Sequence, residues 1–140
     1  MNYILDFNVI SELVASRPNP KVIEWIQTVD SNQVYISVIA IGELKKGVEK
    51  LLDSDRKATL EQWLREDLLV RFENQWLPID EQTLLIWGKL VAQLETIGRP
   101  ISAIDSLLAA TTLQWGYILV TRNAAHFQDT GIELLNLWNS

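Results

Sequence analysis

Four short strings of this chain set a carboxylate or a carboxamide at the edge of an apolar run. They are YILDFNVISEL at the start, YISVIAIGEL near residue 40, RPISAIDSLLAATTL near residue 105 and YILVTRN near residue 120. The residues so placed are Asp6, Glu43, Asp105 and Asn123. An acidic side chain is costly to bury without a partner. Several of them at the ends of apolar segments point to a shared cation, and carboxylate oxygens suit Mg²⁺. Carboxylate-held Mg²⁺ most often serves phosphate chemistry.

Each residue also has a plainer reading. Ser102-x-x-Asp105 is a capping-box pattern, and an acid near a helix N-terminus is favourable in any protein. Glu43, in VIAIGELKKGV, could be an exposed residue paired with Lys46. Asn8 reads as a helix cap and Asn123 as a turn residue. Asp6 is harder to explain away, because a charge at a buried strand end is unusual for a merely solvated group. Lys45, Lys46 and Lys50 could touch RNA phosphates, although a solvated helix face is the commoner origin of such a run. The tryptophans sit on helical apolar stripes and read as core or interface residues, with Trp25 and Trp63 as interface candidates. His126, beside Phe127, reads as a surface residue.

The elements that must position these side chains alternate between strand and helix. Residues 2–6 read as a buried strand. Asn8 would cap a helix with Ile10, Leu13 and Val14 inward. Residues 17–20 break the chain, and Asn19-Pro20 opens a helix carrying Val22, Ile23, Trp25 and Ile26. Residues 33–36 form a second strand. Ser37 caps a helix to about Leu52, with Ile39, Leu44 and Val48 inward. A charged helix covers 54–71 with Leu60, Trp63, Leu64 and Leu68 as its stripe. Residues 75–79 form a short strand that Pro78 places at an edge. Asp80 starts a helix to about Thr96 carrying Leu84, Trp87, Val91 and Leu94. Ser102 caps the next, through about Trp115. Strands follow at 117–121 and 132–135. This order predicts an α/β/α sandwich with a mainly parallel sheet, in one domain over 1–140. In such folds ligands bind beyond the carboxyl ends of the strands, where Asp6 and Asn123 would meet.

The bulk composition narrows the function further. The 140 residues are 48% hydrophobic, enough for one buried core. No stretch is apolar enough to span a bilayer, and MNYILDFN lacks the basic start of a signal peptide, so the expected compartment is the cytoplasm. The absence of cysteine rules out disulfides, thiolate zinc and cysteine nucleophiles, and one histidine leaves no multi-histidine metal site. The net charge of −6 argues against gripping nucleic acid with the whole surface. Any such contact would be local and metal-bridged, or a basic partner would cover part of the acidic surface.

Over nearly its whole length the chain resembles PIN-domain proteins of the VapC toxin group. The resemblance runs through LDFNVISEL, PNPKVIEW, YISVIAIGELKKGVEKL, WLPID, WGKL, GRPISAIDSLLAATTL, LVTRN and TGIELLNLW. It implies a PIN-like fold and an acidic triad of Asp6, Glu43 and Asp105 around Mg²⁺, with Mn²⁺ as a substitute. Asn123 stands at a fourth position where related proteins carry Asp or Asn. Two places depart from the pattern. Phe7 replaces the usual Thr or Ser after the first acid, and His126 stands where an Asp commonly precedes Phe.

The resemblance implies a metal-dependent endoribonuclease toxin. Asp6 and Asp105 would bind the ion, Glu43 would orient or deprotonate the attacking water, and Asn123 would hold a water on the ion or a phosphate oxygen. The implied partners are a VapB-type antitoxin, RNA, a second copy of the chain in a homodimer, and DNA only through the antitoxin. A rival reading, motivated by Phe7 and His126, is a catalytically degenerate PIN domain serving as an antitoxin-binding co-repressor. A receiver-like domain is disfavoured because Asp6 is followed by Phe7 and LVTRN lacks a lysine. An aspartyl phosphatase is disfavoured because Asp6-Phe7-Asn8 lacks the second acid.

Overall fold

The computed structural model describes residues 1–139. Its strands are β1 (Tyr3–Leu5), β2 (Val34–Ser37), β3 (Trp76–Leu77), β4 (Ile118–Val120) and β5 (Glu133–Leu135). They form one sheet in the order β3-β2-β1-β4-β5, and every pairing is parallel. Parallel neighbours require crossovers, and helices supply them. Strand β3 lies at the edge, as Pro78 predicts.

Adjacent side chains of a strand point to opposite faces, and the core divides accordingly. Leu5 and Val120 join one cluster with Val9, Ile10, Val22, Leu64 and Leu68. Ile4 and Leu119 join the other with Leu90, Leu94, Leu108 and Phe127. The result is the three-layer α/β/α sandwich that the alternation of elements predicts.

The helices are α1 (Phe7–Glu12), α2 (Pro20–Thr28), α3 (Val38–Glu49), α4 (Asp55–Gln62), α5 (Leu69–Arg71), α6 (Glu81–Thr96) and α7 (Ala103–Trp115). Several caps agree with the sequence. Asn19 accepts from Lys21 N at 2.9 Å, Ser37 from Ile39 N at 3.2 Å and Ser102 from Asp105 N at 3.3 Å. Asp80 and Thr83 form a reciprocal capping box. Helix α7 ends at Gly116, whose φ of 68° is the left-handed conformation that a side chain would disfavour.

Other expectations need correction. The cap of α1 is Asp6, not Asn8, because the helix begins directly after the strand-end acid. Helix α3 stops at Glu49, and Leu52 is 88% exposed, since continuing inward would require a buried face that the chain lacks there. The segment between α4 and α5 is a π turn, Trp63–Leu68. Leu64, Leu68 and Phe72 are spaced by four, which overshoots the roughly 3.6 residues of an α turn. A wider turn absorbs the surplus and keeps all three buried. On α6 the stripe is shifted: Leu84 is 49% exposed, while Thr83, Leu90 and Leu94 are buried. Thr83 can turn inward because its hydroxyl donates to Gln114 Oε1 at 2.6 Å. Trp25 and Trp63 are half-buried against the core, and Trp115 is the exposed tryptophan at 42%.

Candidate active site

The site forms where β1 and β4 end side by side. Leu5 pairs with Val120, and Asp6 N donates to Val120 O at 2.9 Å. This register carries Asp6 and Thr121 past the sheet edge together. Thr121 Oγ1 donates to Asp6 Oδ2 at 2.8 Å, and Phe7 N donates to Asp6 Oδ1 at 2.8 Å. Asp6 is 4% exposed. Its position as the N-cap of α1 explains how a buried charge is tolerated, since helix N–H groups favour an anion there. Even so, burial raises its pKa above the ordinary carboxylate value, and the Asp105 charge adds to the rise.

Glu43 reaches the same edge from α3, which starts at the carboxyl end of β2. Its pKa is pushed up to about 7, first by burial, then by the carboxylates of Asp6 and Asp105, with Lys46 opposing. Glu43 and Phe7 line one apolar groove together with Leu44, Val48 and Trp63, which accounts for the desolvation. The plainer reading of Glu43 as an exposed partner of Lys46 therefore does not describe its surroundings. Asp105 enters from the first turn of α7. Its N–H uses the Ser102 cap, and its own Oδ2 lies 3.2 Å from His126 Nδ1. Only half of the capping box forms, which leaves the carboxylate turned to the site.

Asp105 is thus close enough for its charge to raise the pKa of both Asp6 and Glu43, and Asp6 acts likewise on Glu43. Asn123 is attached differently. Its N–H donates to Thr121 Oγ1 at 3.1 Å, while its carboxamide is exposed and makes no cap hydrogen bond on the 3-10 turn that follows. Its link to the acids runs through the Thr121 hydroxyl.

Three further residues belong to the site. Thr121, fully buried, is the hydroxyl that holds Asp6, and the Thr of LVTRN is its sequence signal. Asn8 spans the gap between the strands, with Nδ2 at 3.4 Å from both Asp6 Oδ2 and Thr121 Oγ1, and Oδ1 accepting from Arg122 N at 3.2 Å. His126 is exposed, as a surface residue should be, yet it faces Asp105 and its charge acts on Asp6. The lysine run is a solvated face at Lys45, which pairs with Glu49 at 2.6 Å.

The donor set can be tested against a metal ion. Among the described residues no group of three or more His, Cys, Asp or Glu side chains stands ready to hold one. The chemistry of the donors nonetheless fits a hard divalent cation. Three mutually repelling carboxylates converge, and neither Asp6 nor Glu43 is ion-paired to a lysine or arginine among the described residues. Mg²⁺ retains several waters, so one or two direct carboxylates suffice.

Comparison with known proteins identifies the family and the fold. The PIN-domain family model matches residues 3–133. The toxin FitB of Neisseria gonorrhoeae is 33% identical over 97% of this chain and 98% of its own. The VapC ribonuclease Y4jK of Sinorhizobium fredii is 30% identical over 96% of each. A solved structure of FitAB bound to an IR36 DNA fragment superposes with a TM-score of 0.91 at 32% identity, covering 97% of this chain and 95% of that one. No helix among the described residues is long and apolar enough to cross a membrane. With its all-parallel sandwich and its acids at the β1–β4 edge, the chain belongs to the PIN-domain family.

Proposed function

We propose that the chain is a Mg²⁺-dependent endoribonuclease, acting as the toxin of a VapBC-type toxin–antitoxin pair. The observation that carries this reading is the convergence of Asp6, Glu43 and Asp105, with Glu43 held near pKa 7. Asp6 and Asp105 would hold the ion, with Thr121 and Asn8 fixing the Asp6 carboxylate. When bound, the ion would lower the pKa of water and offset the charge on a phosphodiester. Glu43 is suited to take the proton of an attacking water, because a general base works best when its pKa lies near the working pH. Asn123 would steady a phosphate oxygen or an ordered water at the loop after β4. A ribonuclease name on a relative matched along nearly the whole chain supports RNA as the substrate.

The FitAB–DNA complex supports a partner that carries the DNA contact. For this chain that partner is a VapB-type antitoxin whose basic segment would meet the acidic surface. The toxin acts in the cytoplasm as a homodimer. A second reading, a catalytically silent antitoxin-binding co-repressor, draws on His126 occupying one oxygen of Asp105. The two readings part in one experiment. Total RNA is incubated with the purified chain in Mg²⁺, Mn²⁺ or EDTA, beside Asp6→Asn. Discrete metal-dependent cuts absent from the variant are expected. A folded, antitoxin-free chain that makes no cuts overturns the nuclease and leaves the co-repressor.

A further inference from the structure

A polar groove of about 540 Å³ opens beside the acids, between the 3-10 turn Ala124–Phe127 and the exit of β5. Its polar lining consists of Arg122, Asn123, His126, Gln128, Asn136 and Asn139. In a chain of net charge −6, no carboxylate side chain lines this groove among the described residues. His126 joins it to the acids, since its Nδ1 is 3.2 Å from Asp105 Oδ2. The volume lies within the roughly 300–1,000 Å³ of ordinary ligand clefts.

The walls are built rather than loose. Asn8 Oδ1 fixes Arg122 N, Asn136 Nδ2 donates to Arg122 O at 3.2 Å, and Trp138 N donates to Asn136 Oδ1 at 2.9 Å. The Arg122 guanidinium lies 5.6 Å from the centre of the Trp138 ring. Stacking on a ring leaves the N–H edge of an arginine open to a phosphate. No carboxylate ion-pairs with Arg122 among the described residues, in contrast to Arg99, which lies 3.9 Å from Asp129. The Asn123 carboxamide makes no cap hydrogen bond on the 3-10 turn, and the Gln128 carboxamide lines the same groove. A carboxamide presents one donor and one acceptor side by side, the pattern that base edges complement. Sequence-specific reading of RNA works on single strands with splayed bases.

We infer that this groove seats the nucleotides beside the scissile phosphate of a single-stranded RNA, with Arg122 on a backbone phosphate and Gln128 on a base edge. Resting on the ribonuclease reading, the inference makes Gln128 a specificity-determining residue and Arg122 the anchoring cation.

Two measurements separate failure of the groove from failure of the nuclease. Binding of a labelled 12-nucleotide random-sequence RNA is followed by anisotropy in EDTA, where no cleavage is needed. Arg122→Ala should weaken it about three- to tenfold and flatten the salt dependence by about 0.7 in log–log slope, the value of one lost single-strand phosphate contact. Arg65→Ala, an exposed arginine of the π turn, should change neither. In Mg²⁺, 5′-end mapping of cut sites should show Gln128→Ala redistributing the bases flanking each cut. Equal binding by Arg122→Ala and wild type, or an unchanged cut-site distribution in Gln128→Ala, overturns the groove. Groove-dependent binding without any cuts overturns the nuclease reading alone.

Discussion

Glu43 makes the metal-free protein less stable as pH rises, and the size of the effect follows from its surroundings. Its pKa lies near 7 in the folded chain against an ordinary 4.5. The folded state therefore holds a proton that the unfolded state has already released between those values. Stability falls wherever the folded state binds more protons and pH increases. The contribution is fully present below pH 4.5 and is lost as pH climbs through about 7. The gap corresponds to a ceiling of about 3 kcal/mol, which solvent screening of a partly exposed group reduces to about 1–2 kcal/mol. Glu43→Gln removes this titration while keeping the side-chain shape. Urea unfolding in EDTA at pH 5, 6, 7 and 8, followed by tryptophan fluorescence, gives the wild-type minus variant difference at each pH. That difference should move by about 1–2 kcal/mol toward the variant between pH 5 and 8. Titrations common to both proteins, such as that of Asp6, largely cancel. A difference that stays constant with pH would refute the placement of Glu43 beside the other acids.

Asp6→Asn should abolish RNA cleavage and also the rise in melting temperature that Mg²⁺ gives the wild type, since a ligand stabilises only the state that binds it. An equal Mg²⁺ shift in both proteins would remove Asp6 from the ion. Thr121→Val should cost about 1–3 kcal/mol in urea unfolding, because Asp6 Oδ2 and the Asn123 N–H both lose the buried hydroxyl. A loss below about 0.5 kcal/mol, half the usual worth of one hydrogen bond, would show that neither contact matters. Phe7→Thr should lower the Glu43 pKa by admitting water to the groove they share, and should raise cleavage if the missing hydroxyl limits it. Carboxyl NMR titration and cleavage rates measure the two effects, and a Glu43 pKa unchanged from about 7 would contradict the first.

The order of elements was legible because period and caps agree at Asn19, Ser37, Asp80 and Ser102. The acids were legible because each interrupts or ends an apolar run. What escaped depends on partners distant in sequence. Asn8 looks like a cap because its bonds to Thr121 and Arg122 span more than a hundred residues. Thr83 stands outside the apolar stripe read for α6, and what buries it is Gln114 on α7, which receives its hydroxyl. The π turn depends on keeping Leu64, Leu68 and Phe72 buried together at two successive spacings of four, which residue propensities do not encode. His126 reads as solvent-facing because its exposure is real; only the fold brings Asp105 to it.

On the proposed ribonuclease reading an acidic chain must bind RNA, and the placement of its cations bears on how it would do so. Lys45 and Lys57 face Glu49, Glu61 and Asp53, so their charge is largely neutralised on the α3–α4 surface. Arg122 instead stands on the loop that Thr121 and Asn8 tie to Asp6, and Lys46 acts on Glu43. A net charge of −6 makes broad electrostatic capture of RNA weak, while Arg122 and Lys46 place positive charge at the rim of the carboxylate pocket. Non-specific binding grows with the number of phosphates neutralised at once. On that reading, an anchoring cation beside a pocket that would need its own counter-ion makes binding depend on the strand's fit at the cut site. On the proposed reading the net charge disfavours RNA broadly, and binding is favoured where a metal ion at the β1–β4 edge and Arg122 would reach the strand together.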